Sequence, residues 1–520
     1  MKIVFYAFLF ISMVSGLFAD SEEGALEYYF LGEYELLNEN YDKAEHYFLK
    51  AISLDSTSSS IYSSLSELSL LRGDYSKAIN FVEKEYELNP SSYEIGLQLY
   101  ELYIVNNKLD LADIHIKKMI DVMLDDIDLR LKLAELQFHN QNWKELIETY
   151  SEIYLLCSDD EKQKYFEFIY EIGVRTQQYE SLILAFEKIL NNTEDDIDIL
   201  KEYSNLLYSI GEYEKATESL NKILINEPEN TDFKLLLVEV YLRQNKIKLA
   251  ETIIAQIDKD DKNSLSVLRM ELIVYSIIEN YEKLVEISKE MIKSHSDIPD
   301  GYENLGMVYM NLREDSLAID ILSSGFLKFP ENANFPYLIA DIYSLNKNYS
   351  TAQNFLHKAL FISPENKQIR QSLATVYENL LDFGKSDSLY QQLISEDEND
   401  ASILNNYAYN LCIRENVSIE ELNYALEIVT KADEMENDNS AYLDTIGWIY
   451  YKLGNYSSAI EFIEKSIEID SESLIILEHA GDIYIKLDKL EKATEYYQKA
   501  LKLAPDNSIL KDKIQRINYE

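Results

Sequence analysis

The chain has 520 residues, 47% of them hydrophobic, with 14 Gly and 7 Pro, and its 93 acidic residues against 48 basic ones give a formal charge of -45. That much apolar material excludes a disordered chain, and so few Gly and Pro exclude a loop-rich or all-β protein, whose turns need them. The charge repels nucleic-acid phosphates and anionic membrane surfaces, so neither is an expected partner.

The first element in chain order is a leader. Met1-Lys2 precedes an apolar run from Ile3 to Val14, then Ser15-Gly16-Leu17-Phe18-Ala19 and an acidic stretch from Asp20. A basic start, a short apolar core and a small residue before a polar segment predict a signal peptide over 1–19, cleaved after Ala19. Leu17 is bulkier than the ideal residue at its position, so the alternative is an uncleaved N-terminus acting as an anchor. No other stretch is apolar for the length of a membrane span, so none is expected after cleavage.

From residue 25 onward the sequence repeats. A Tyr-x-x-Ala setting recurs with anchors at Ala44, Ala78, Ala112, Leu146, Leu182, Ala216, Ala250, Leu284, Ala318, Ala352, Ser386, Ala425, Ala459 and Ala493. Eleven of the 13 intervals are 34 residues; the exceptions are 36 (146 to 182) and 39 (386 to 425). Each unit predicts two antiparallel helices, A and B, with the anchor on B. On A, a small residue recurs ahead of the anchor (Gly32, Ser66, Ala134, Ser204, Gly306, Ala340, Ala374, Ala408, Gly447, Gly481), where the two backbones must come close. Tyr recurs nine residues before the anchor (Tyr103, Tyr241, Tyr275, Tyr309, Tyr343, Tyr377, Tyr450, Tyr484), and an aromatic three before it, from Tyr41 and Tyr75 to Phe383 and Tyr456. These rings are expected to fill the gap between A, B and the next A. Five prolines (Pro90, Pro228, Pro330, Pro364, Pro505) fall 12 residues after an anchor, where helix B must stop.

Period and residues together resemble the tetratricopeptide-repeat family over about residues 25 to 506. The fullest copy runs Leu443-Asp444-Thr445-Ile446-Gly447-Trp448-Ile449-Tyr450, then Gly454-Asn455-Tyr456-Ser457-Ser458-Ala459. The resemblance implies an all-α helix-turn-helix solenoid winding as a right-handed superhelix, with about 14 repeats: 1–4 over 25–160, 5–11 over 161–398 and 12–14 over 399–506. A final helix over 507–520 is expected to cap the array, with Lys511, Lys513 and Arg516 facing water and Ile509, Leu510 and Ile514 covering the last repeat. The pairing of Asn405–Ala432 with Tyr442–Ala459 is similar to that of bacterial envelope members. Together with the leader it points to a periplasmic location.

Three repeats depart from the pattern. The fifth and eighth carry large residues at both close-approach positions (Tyr170 with Leu182, Leu272 with Leu284), so their helices are expected to sit further apart or tilt. The twelfth has five extra residues between its helices, around Arg414 to Ser418.

Family members bind proteins in the groove lined by A helices, and the residue after the small one points into it. That position reads Glu33, Glu67, Glu101, Glu135, Glu171, Asn205 and Glu239, then changes to Ile273, Met307, Asp341, Thr375, Tyr409, Trp448 and Asp482. Six Glu in the first seven, in a chain with 93 acidic residues in 520, is more than composition supplies. The expectation is an acidic half-groove for a basic protein segment and an apolar half with Met307, Tyr409 and Trp448 as anchors. Lys201 and Asn205 match only part of the family's carboxylate clamp, because Leu236 and Glu239 stand where its Asn residues belong.

No catalytic constellation emerges, so no enzyme is expected. His46, His115, His139, His295, His357 and His479 lie in separate repeats without metal spacing and are expected as ordinary surface or groove residues. Asp258–Asn263 lacks the central Gly and the distal Glu of a calcium loop and reads as a turn. Cys157 and Cys412 are too far apart along the chain for an expected disulfide. No cofactor or metal is implied. The expectation is a non-catalytic scaffold or adaptor, with an accessory subunit of polysaccharide synthesis, export or secretion as the alternative.

Overall fold

In a computed structural model of the chain, the described residues are 22–193, 196–257, 261 and 263–519. The leader 1–19 and most of the Asp258–Asn263 turn lie outside them. The described residues form 29 helices and no strand, and none of these helices is long and apolar enough to cross a membrane. They divide into two compact units, one ending at Gln244 and the other starting at Asn245. Within each, helices pack mainly on their neighbours in sequence, so each unit is a row of helical hairpins.

Local sequence explains the helix ends. A-helix caps recur 20 residues before the anchor: Ser92, Asp126, Asn230, Ser264 and Asn366 each accept a hydrogen bond from a first-turn backbone N–H. They satisfy donors that the helix itself cannot. Each A helix except that of the twelfth repeat stops at a residue in the left-handed region, five residues before the anchor. Three of these are Gly (Gly73, Gly211, Gly454); the others carry side chains, among them Gln141, Lys347 and Leu381. The next N–H then bonds back to the last turn, as Asp382 N does to Tyr377 O at 2.9 Å. This is a Schellman-type stop, and it turns the chain into helix B.

The anchors are sealed: Ala44, Ala78, Ala112, Ala216, Ala250, Ala318, Ala352, Ala425, Ala459 and Ala493 are all 0% exposed. The small A-helix residues face the side chain four residues past the anchor. A Cβ on Gly32 would lie 2.5 Å from Phe48, and one on Gly447 would lie 2.7 Å from Ile463. The Tyr nine before the anchor is buried in five repeats (Tyr103, Tyr241, Tyr275, Tyr377, Tyr484) and half-buried in the other three. The aromatics three before it do less filling than expected. Each begins its own B helix, half-buried or, as with Tyr75 and Tyr179, exposed.

The two irregular repeats solve their crowding differently. In the fifth, the longer helix Asp159–Arg175 brings Gly173 rather than Tyr170 against Leu182, where a Cβ would lie 2.9 Å from the Leu182 Cδ2. The close approach is kept one turn later, and the Tyr170 ring is displaced from the helix interface. In the eighth, Leu272 and Leu284 are both buried, and Ser288, fully buried, occupies the position where Phe48 or Ile463 stands in other repeats. Volume lost on helix B is taken up by helix A.

The final helix, Ser508–Tyr519, packs on the helix Leu490–Leu503 with Leu510 fully buried and Ile514 partly so. Two expectations need correction. Ile509 is 63% exposed, and Lys513 is half-buried, bridging Glu478 at 2.8 Å and Asp482 at 2.6 Å. The packed face runs through Leu510, Ile514 and Ile517, and at 3.6 residues per turn it includes Lys513 and leaves Ile509 to one side. The histidines also need correction: His115 and His479 are buried, His115 Nε2 lying 2.9 Å from Gly96 O.

Candidate functional site

The residue after the small A-helix position is placed by the hairpin itself: its neighbour is locked inward, and at 3.6 residues per turn it stands about 100° round the helix from that contact. In the first unit Glu67, Glu101, Glu135, Glu171 and Asn205 are exposed, and Glu33 and Glu239 are half-buried. Consecutive members share tyrosines. Tyr29 is pushed above its usual range by burial, with Glu33 and Glu67 both adding to the shift. Tyr100 is pushed up to about 12, again chiefly by burial, with Glu135 and Glu101 adding. One phenol feeling the carboxylates of two successive repeats places those carboxylates on one face.

The series is unevenly compensated. Glu171 pairs with Arg175 at 2.6 Å, and Glu239 hydrogen-bonds Tyr208 with Arg243 alongside. Glu33 accepts a hydrogen bond from Ser64. Glu67, Glu101 and Glu135 form no ion pair among the described residues. Lys201, the residue that matched the carboxylate clamp, is engaged with Glu227 at 2.9 Å and Asp198 at 3.5 Å, so it is not free to hold a carboxylate.

A second A-helix position escaped the sequence reading. The Ser64–Glu33 contact spans 31 residues, and so does the Lys513–Asp482 contact. In the same register, Trp448 stacks on His479 with ring centroids 3.9 Å apart and planes at 15°. In these three places the residue after the small A-helix position meets the side chain 31 residues further along the chain, on the helix packed against it. The signal was available as a 31-residue offset inside the 34-residue period.

In the second unit Met307 is 40% exposed, while Tyr409 and Trp448 are half-buried. Trp448 is less open than an anchor needs to be. Tyr451 covers one face at 4.5 Å and His479 covers the other, and His479 Nδ1 is held by Asp444 Oδ1 at 2.8 Å. Only the indole edge is left for a partner. Asp341 sits in the same series with its carboxyl pushed up to about 6 by burial. Among the described residues no group of three or more His, Cys, Asp or Glu is arranged to hold a metal, and both cysteines are buried and unbridged.

The family models that match the chain agree with this architecture. Family models for the tetratricopeptide repeat match residues 28–58 and 207–270, and the model for anaphase-promoting complex, cyclosome, subunit 3 matches 419–500. Over 181 residues the chain is 23% identical to the protein O-mannosyl-transferase TMTC1 of Homo sapiens, covering 34% of this chain and 20% of that protein. Over 324 residues it is 20% identical to the TPR repeat-containing protein MJ1428 of Methanocaldococcus jannaschii, covering 61% and 53%. The chain thus spans about a fifth and about half of these two relatives. Among solved structures it is similar to the APC/C hetero-tetramer Cut9-Hcn1 (TM-score 0.40, 14% identity, 98% of both chains). It is also similar to yeast Tom70 (TM-score 0.37, 15% identity, 95% of this chain and 94% of that one).

Proposed function

We propose, from the premise that this chain is a tetratricopeptide-repeat protein, that it is a non-catalytic adaptor whose first unit receives a basic segment of a partner protein on its A-helix face. The observation that carries this reading is the run Glu33, Glu67, Glu101 and Glu135, which recurs with the repeat and has no cationic partner among the described residues. Packed helices stand about 8–10 Å apart, and the Debye length at moderate salt is about 8–10 Å, so carboxylates on neighbouring repeats reinforce one another's field. Such a field speeds encounter with a basic partner more than it tightens the final complex. In the second unit, taken by itself, the exposed Met307 and the edge of Trp448 offer a separate apolar contact. The leader and the likeness of the twelfth and thirteenth repeats to envelope proteins support a periplasmic setting.

The test uses a fluorescein-labelled dodecapeptide of alternating Lys and Gly. Stopped-flow association with the full chain is compared with a Glu33→Gln, Glu67→Gln, Glu101→Gln, Glu135→Gln variant. The wild type is expected to associate roughly tenfold faster at low salt and equally at high salt. Equal rates at low salt reduce the ladder to ordinary surface charge.

A further inference from the structure

The displaced ring of the fifth repeat opens a cleft. It has a volume of about 910 Å³ and lies between the A helices Asp159–Arg175 and Ile197–Ile210. Three aromatic side chains line it: Tyr154 is buried, while Phe166 and Tyr170 are half-buried. Phe166 is fixed from behind by an edge contact with Phe186 at 5.2 Å. The rim carries Glu167 and Glu202, both exposed, and the ladder member Glu171. Two lysines also line it, but both are neutralised: Lys162 by Asp159 at 2.8 Å, and Lys201 by Glu227 and Asp198. Glu167 accepts only from the neutral Gln163, and Glu202 has no ion pair among the described residues.

We infer that this cleft is the specificity pocket of the first unit, taking one Lys or Arg side chain of the bound basic segment, its stem against Phe166 and Tyr170 and its charged head between Glu167 and Glu202. The inference rests on the protein-binding reading above and deepens it. Aromatic rings and unpaired carboxylates favour the same occupant, because a ring face attracts a cation and its edges cover an aliphatic stem. A neutral or acidic side chain gains from only one of the two surfaces or is repelled. The pocket also has a structural cause, since two extra residues in the fifth repeat shift the close approach to Gly173 and leave Tyr170 free of the helix interface.

The test is equilibrium binding of the same Lys/Gly dodecapeptide to the full chain, read by fluorescence anisotropy at low salt. A Glu167→Gln, Glu202→Gln variant is expected to raise Kd about tenfold, and Tyr170→Ala about fivefold, with Tyr170→Phe near wild type. An Asp121→Asn, Glu145→Gln control removes two exposed charges away from the cleft and should change Kd less than twofold. Far-UV circular dichroism and melting verify that each variant folds. Should Tyr170→Ala melt, the glutamate pair and Tyr170→Phe still decide the matter. Pocket variants binding like the wild type while the ladder variant associates slowly would overturn the pocket and leave the adaptor reading standing. Control and pocket variants weakening equally would reduce the pocket to bulk charge. A wild-type chain that does not bind the peptide at all would sink both readings.

Discussion

Arg414 and Glu378 form a two-pronged buried ion pair, Nε to Oε1 at 2.8 Å and Nη2 to Oε2 at 2.9 Å, across the junction of the eleventh and twelfth repeats. Both side chains are sealed, at 8% and 5% exposure. Arg414 also reaches Asp387 at 2.7 Å and lies 4.6 Å from the centre of the Phe383 ring. The insertion that breaks the repeat period thus supplies a clamp, and Ser418 at its end caps the next helix through a capping box with Glu421. Arg414→Met should destabilise the second unit by about 3–5 kcal/mol, because it strands a buried carboxylate. Arg414→Met combined with Glu378→Leu should recover most of that loss. Denaturant melts of the three variants check this, and a double variant no better than the single one would contradict it.

Leu381 holds a φ of 60° at the end of its A helix and is 74% exposed. An L side chain pays steric strain there and this one gains little burial in return. Leu381→Gly should therefore raise stability by about 1 kcal/mol, whereas Gly454→Leu at the equivalent stop should lower it by a similar amount. Thermal melts that move in the opposite directions would refute the argument.

Gly481 has no room for a methyl group, which would overlap the Tyr497 ring. Tyr497 is 2% exposed and its hydroxyl donates to Asp482 at 2.5 Å, so the ring cannot retreat without breaking that bond. Gly481→Ala should cost about 1–3 kcal/mol. The loss should be local, showing as faster hydrogen exchange in the last repeat and the final helix while the first unit is unchanged. Uniform exchange across the chain would argue against it.

Asp341 supplies a pH dependence. Burial raises its carboxyl to about 6 in the folded chain, from an ordinary value of 3.8. Between those two values the folded state binds more protons than the unfolded one, so this residue lowers stability as pH rises from about 4 to 6. Asp341→Asn should therefore stabilise the chain by about 1–3 kcal/mol at pH 7 and have little effect at pH 3.5. Melting the pair of proteins across that range tests the sign, and a variant less stable at pH 7 would mean that the carboxylate has a partner.

The helical hairpins were legible because their signature residues act locally. A sealed Ala, a small partner and a B-helix-ending Pro each solve a local problem, so most copies restate one or more of these solutions. The acidic series was legible for the same reason: its position is fixed by its neighbour's burial. What the residues of this series touch was not legible. Glu33 with Ser64, Trp448 with His479 and Asp482 with Lys513 are contacts between repeats, and each depends on the stacking register of two helices.

The sequence by itself determined the repeat period, the stops of the five B helices that end before a Pro and which position on helix A carries the glutamates. Periodicity alone is enough for that, since a recurring residue must recur in the same environment. Tertiary structure decided what happens where the period fails. In the fifth repeat a one-turn shift to Gly173 freed Tyr170 and opened a cleft; in the twelfth, inserted residues folded Arg414 inward onto Glu378. An insertion can be counted in a sequence, but the direction in which packing absorbs it depends on the volumes and charges of residues from the neighbouring repeat.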